Sequence, residues 1–170
     1  MAAEKRRQAI LEILQQAERA VSAGYLAERF SVSRQIIVGD VALLRAGGAD
    51  ISATPRGYVI VKAAAGLIRK VPCRHSAAGM EAELNAIVDH GCTIQDVIVE
   101  HPIYGQLTGS LHLSSRYDVQ QFLHRCRESE ARPLSDLTGG IHLHTLSCPD
   151  EAAWRRVQEA LQTLGVLLEG

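Results

Sequence analysis

All seven histidines of this 170-residue chain, at positions 75, 90, 101, 112, 124, 142 and 144, fall in its C-terminal part. The sharpest spacing is Ile141-His142-Leu143-His144. Side chains on a strand alternate with period two, so both imidazoles leave one face and form a ready chelate for a metal ion. A strand that merely carries polar residues on its wet face has the same pattern. His75 stands at the end of another short apolar strand, and Glu81 and Glu83 flank the apolar stripe of the helix that follows. A carboxylate at a helix's buried edge needs a partner, because desolvating it alone costs several kcal/mol. A cation shared with histidines answers that need. His90, His112 and His124 fall on wet positions and read as surface residues. Cys73, Cys92, Cys126 and Cys148 form no CxxC pair, which argues against a zinc knuckle or a redox motif and for free thiols.

The elements that must position these side chains read as an α+β unit. Strands are expected over 69–73, 93–100, 109–114 and 140–146, with a Pro102-Ile103-Tyr104-Gly105 turn between the second and third. Amphipathic helices are expected over 76–88, 115–130 and 149–164, followed by a last apolar segment. Strands alternating with such helices suggest one antiparallel or mixed sheet with helices on one face.

The first part of the chain differs. Ile10, Leu11, Ile13, Leu14 and Ala17 recur at helical spacing, and Ser22 can cap a second helix that turns Leu26, Ala27 and Phe30 inward. After the link Ser31-Val32-Ser33, Ser33 caps a third helix with Ile37, Val41 and Leu44 on its buried face, ending at Gly47-Gly48. Two helices joined by so short a turn have helix-turn-helix geometry. Ile51 to Thr54, a Pro55-Arg56-Gly57 turn, and Tyr58 to Val61 add a two-stranded wing. The third helix turns Gln35, Val38, Gly39 and Ala42 outward, flanked by Arg34 and Arg45. Glutamine can read adenine bidentately and valine can touch a thymine methyl. Ser33, Arg34, Gln35, Val38, Arg45 and Arg56 are thus the candidate DNA contacts, the arginines chiefly on phosphate.

Charge divides in the same place. Residues 1–66, which end after the small residues Ala63 to Ala65, carry nine Lys/Arg against six Asp/Glu, a net +3. Residues 67–170 carry nine against thirteen, a net -4. A basic module joined to an acidic one suits an anion-binding domain carried with a regulatory one. With 46% apolar and 22% charged residues, the chain is neither disordered nor polyelectrolytic. No apolar run reaches the ~20 residues of a membrane span, and the charged N-terminal stretch is unlike a secretory signal, so a cytoplasmic location is expected.

Several stretches are long and specific: Val32-Ser33-Arg34-Gln35 with Asp40 to Arg45, Glu83-Leu84 with Ile87-Val88-Asp89, Val99 to Gly105, and Leu137 to Thr145. Through them nearly the whole chain resembles the niacin-responsive transcriptional repressors of NAD biosynthesis, which join a winged helix-turn-helix to a three-histidine (3H) domain. The resemblance implies a DNA-binding domain over 1–66 and an HPr-like α+β sensor domain over 67–170. It also implies a divalent transition metal, such as zinc, nickel or iron, held by His75, Glu83, His142 and His144. Nicotinic acid is then the expected co-repressor, with His101, Tyr104 and Arg116 as candidate contacts, and a homodimer on double-stranded operator DNA is the expected assembly. The alternative is a regulator in which the metal itself is the signal. An enzyme is not expected, since no separate general base stands at motif spacing.

Overall fold

The structure is a computed structural model that describes residues 2–60 and 66–169. It divides into two compact units, Met1–Ala63 and Ala64–Gly170. The Val61 end of the expected wing and the Ala63 to Ala65 link lie outside the described residues.

The first unit runs α1 (Ala3–Gln16), α2 (Ala23–Phe30), α3 (Arg34–Ala46), β1 (Ile51–Thr54) and β2 (Gly57–Ile60). Ser22 and Ser33 cap α2 and α3 by accepting the amide protons of Tyr25 and Ile36. Between the helices Ser31 adopts a left-handed conformation with φ 52°, and half-buried Val32 pins the crossing against the core. Ile10, Leu14, Leu26, Ile37, Val41, Ile51 and Tyr58 fill that core. Buried Asp40 of α3 accepts from Arg6 of α1 at 2.6 Å, tying the first helix to the third. Val21 exchanges two backbone hydrogen bonds of 2.9 Å with Tyr58, which adds a one-residue third strand to the wing.

The second unit runs β3 (Leu67–Arg74), α4 (Met80–Asp89), β4 (Thr93–His101), β5 (Gly105–Leu113), α5 (Arg116–Glu128), β6 (Ile141–Cys148) and α6 (Glu151–Thr163). Short 3-10 turns occupy Ala77–Gly79 and Leu134–Thr138. The sheet is antiparallel in the order β3-β6-β4-β5. One core joins Val71, Ile94, Leu113 and Leu146 of the sheet to Leu84, Ile87, Val119, Val157 and Leu161 of the helices. Two boundaries differ from expectation by four residues. The helix expected from Ser76 opens as a 3-10 turn, and β5 starts at Gly105 rather than Gly109 because Pro102, Ile103 and Tyr104 suffice for the turn and His101 already pairs with Gly105. The last apolar segment pairs with the outer edge of β3: Arg74 N–H donates to Val166 O and Leu168 N–H to Pro72 O.

No helix among the described residues is long and apolar enough to cross a membrane. Because Ile37 is fully buried where α3 meets α1 and α2, we expect Ile37→Ala to cost about 2–5 kcal/mol in urea unfolding. Val38→Ala on the exposed side of α3 should stay within about 0.5 kcal/mol. Equal costs for the two would contradict the facing of α3.

Candidate functional site

Glu83, on the first turn of α4, points into the core and is only 1% exposed. Its Oε2 lies 2.6 Å from His75 Nε2 and 3.5 Å from His144 Nε2, and its Oε1 lies 3.0 Å from His142 Nε2. Glu81, the other carboxylate of that turn, is exposed and accepts from Gln120. The alternation on β6 turns His142 and His144 into the core at 4% and 3% exposure and leaves Ile141 at 42%, so the imidazoles are not wet-face residues.

Each ring is oriented through its other nitrogen. Nδ1 lies 2.7 Å from Ser76 O in His75, 2.9 Å from Gly140 O in His142 and 2.6 Å from Asp96 O in His144. A carbonyl only accepts, so Nδ1 carries the proton in all three rings and donates it. Three Nε2 atoms are thereby aimed at one carboxylate. Such an arrangement repels itself unless protons or a cation stand among the donors.

The local backbone explains this convergence. On the β3–β6 ladder Cys73 is opposite His142 and Val71 opposite His144, which brings the end of β3 and its following His75 beside the paired histidines. The β4–β6 register breaks between Ile94 and Ile98. There Asp96 offers its carbonyl to His144, and its carboxylate accepts the Thr145 amide proton at 3.0 Å. Gly140 has φ +91°, and a Cβ there would stand 2.2 Å from His75 O. At Gly79 an added Cβ would stand 2.8 Å from that of His75. Both glycines let the chain close around this one histidine.

Electrostatics follow from the geometry. The Glu83 hydrogen bond outweighs burial and holds His75 above the usual imidazole range. Burial opposes charge on His144, but Glu83 and Asp96 overcome it and raise this ring as well. Glu83 is disfavoured as an anion by burial, yet hydrogen bonds from the histidines hold it well below the usual carboxylate range.

The donor set fits a divalent transition ion. His144 Nε2 is buried without a hydrogen-bond partner. A tetrahedral ion with bonds of about 2.1 Å spaces its donors about 3.4 Å apart, close to the 3.0 and 3.5 Å that separate His142 and His144 from Glu83. The 2.6 Å contact of His75 is a hydrogen bond that an ion would replace. Three imidazoles and one carboxylate suit zinc, nickel or iron by ligand type. Cys73 also reaches the site: donor atoms of Cys73, Glu83 and His142 lie within 4.8 Å of one another. No role for this thiol was read from the sequence, although its two-residue offset from His75 places it on the same strand face as Val71. Burial and the Glu83 charge push the thiol up, so it stays protonated.

The effector candidates sit elsewhere. Arg116 makes two hydrogen bonds with Asp89, of 2.7 and 2.6 Å. His101 Nδ1 accepts the amide protons of Ile103 and Tyr104 and so organises its own turn, while Tyr104 is 72% exposed. None of the three lines the cavity of about 510 Å³ beside His75, whose wall includes Arg74, Ser76, Arg132, Asp136 and Gly140.

In the first unit Ser33, Arg34, Gln35 and Val38 are exposed together along the start of α3. Ile36 and Leu43 are exposed beside them, an apolar contribution that the wheel reading overlooked. Arg45 is turned onto its own unit, with Nε donating to Ile51 O at 2.7 Å and the guanidinium 5.9 Å from the Tyr58 ring. Arg56 sits in the wing turn half-buried, its Nε out of solvent.

A helix-turn-helix with a wing, joined to an α+β unit with a buried histidine-carboxylate cluster, defines a two-domain DNA-binding transcription regulator. The family models agree: an HTH domain matches residues 6–59 and a 3H domain residues 68–170. The chain is 42% identical over 166 residues to the probable transcription repressor NiaR of Thermotoga maritima, spanning 98% of this chain and 95% of that protein. It is 40% identical over 168 residues to the transcription repressor NadR of Bacillus subtilis, spanning 96% and 93%. The chain belongs to this family of helix-turn-helix repressors with a 3H domain.

Two outcomes follow from the cluster. Gly140→Ala should displace His75 and lower the zinc retained per chain, read by elemental analysis; full retention would deny Gly140 its packing role. For chelated protein, the raised histidines stabilise fully below their ordinary value of 6.5 and lose this as pH rises through the higher folded value. Glu83 stabilises above its ordinary 4.5 and loses this as pH falls through the lower folded value. Thermal stability of the chelated second unit should therefore peak between about pH 4.5 and 6.5 and decline on the alkaline side, with added zinc removing that decline.

Proposed function

We propose that the chain is a transcription repressor of NAD biosynthesis and niacin salvage genes, acting as a homodimer on double-stranded operator DNA. Residues 1–66 bind DNA through Ser33, Arg34, Gln35 and Val38, with Arg45 and Arg56 bracing the unit near the phosphates. Residues 67–170 hold a divalent transition metal on His75, Glu83, His142 and His144 and take nicotinic acid as co-repressor. The observation that carries this reading is the convergence of three Nε2 atoms on one buried carboxylate, in a chain whose relatives are named transcription repressors. The ion supplies the positive charge that lets the four donors share one buried point. The residues then provide a rigid wall beside which an effector changes the preferred dimer geometry. Coupling of about 1–3 kcal/mol would change operator affinity about 5- to 150-fold.

A second reading makes the ion itself the signal. It is favoured by the burial of His142 and His144, neither of which lines the neighbouring cavity. Gel-shift titration separates the two. We expect nicotinate, and not nicotinamide, to tighten operator binding by metal-loaded protein, and His142→Ala to lose both metal and that response. Release of DNA by chelation with no niacin present would favour the ion as signal, and identical binding under all conditions would defeat both readings.

A further inference from the structure

The cavity beside His75 is lined by two arginines, Arg74 and Arg132. Arg74 follows Cys73 on β3, so strand alternation sends it off the face opposite the core. Arg132 comes from the segment between α5 and β6, and both residues are exposed and line the cavity. Among the described residues neither guanidinium has an ion pair or hydrogen bond, unlike Arg6, Arg45, Arg69 and Arg116, each of which has a partner. Ser76, on the same wall, uses its carbonyl for His75 but caps nothing with its hydroxyl. Asp136 supplies the one carboxylate of the lining. Two guanidiniums against one carboxylate leave a single positive charge, which suits a monoanion. Guanidinium and carboxylate match each other in shape, with paired N–H donors facing two oxygens.

The wall is continuous with the histidine cluster. His75 lines the cavity itself, and Gly140, also in the lining, holds His142 through its carbonyl. We propose that this cavity is a carboxylate subsite in which Arg74 and Arg132 hold the acid group of a small carboxylic acid against the wall formed by His75 and Gly140. The choice of nicotinate as that acid rests on the co-repressor reading above; the anion subsite does not. An amide in place of the acid forfeits the charge-assisted pairing, so these two arginines set the preference for acid over amide. A bound acid also restrains the segments that orient two of the three imidazoles.

The test is calorimetric titration of the full chain, loaded with zinc and assayed for zinc content, with nicotinate, nicotinamide and benzoate. Wild type, Arg74→Gln, Arg132→Gln and Arg132→Lys are compared. We expect nicotinate to bind wild type and to weaken about tenfold or more in each Gln variant, less in Arg132→Lys, with zinc content unchanged and nicotinamide weak throughout. Wild-type nicotinate affinity in both Gln variants overturns the subsite and leaves the co-repressor reading standing. Benzoate that binds and is lost in the variants, while nicotinate does not bind, upholds the subsite and overturns nicotinate as its ligand. Absence of binding by either acid overturns both. If Arg74→Gln alone loses zinc, Arg132→Gln decides, since it stands outside the sheet; loss of zinc in both variants assigns the arginines to the cluster's framework and overturns the subsite.

Discussion

A carboxylate removed from solvent is the constraint on which the second unit depends. Glu83 cannot remain an anion there without positive charge at contact distance. The unit meets this with three imidazoles whose own protons are already given to Ser76, Gly140 and Asp96 carbonyls. Only added protons or a cation can close the arrangement. Cohesion between α4, β3 and β6 is thereby tied to what occupies one point among four side chains.

The two units solve the same problem in opposite ways. Asp40 is also buried, but Arg6 reaches it from α1 and brings a permanent charge. The crossing of α1 on α3 consequently needs no added cation. In the second unit Glu83 meets imidazoles rather than a guanidinium, so the corresponding charge is left to be supplied. The first unit carries its counter-charge within the chain, whereas the buried carboxylate of the second is open to a charge from outside it.

Much of this was legible along the chain. Helical spacing from Ile10 to Leu44, the capping serines Ser22 and Ser33, and the glycine-proline punctuation located the first unit's elements, because each signal is local. The HxH spacing fixed that two imidazoles share a face, although not which face, since Ile141 and Leu143 are as apolar as the residues that do point inward. The Arg6–Asp40 pair spans 34 residues and leaves no periodic trace. Cys73 gains meaning only from the ladder that sets it opposite His142. The β4 irregularity at Asp96 and the commitments of Arg45 and Arg116 likewise arise from tertiary neighbours. Arg74 and Arg132 share a cavity through a fold that no spacing rule reports.

The three backbone carbonyls that fix the imidazole tautomers have a kinetic consequence. Rings already turned with the same nitrogen inward need no rotamer search or tautomer exchange when an ion arrives. Loading of the proposed ion would then be an addition to a standing framework, unlike that of small zinc modules whose chain collapses only around the metal.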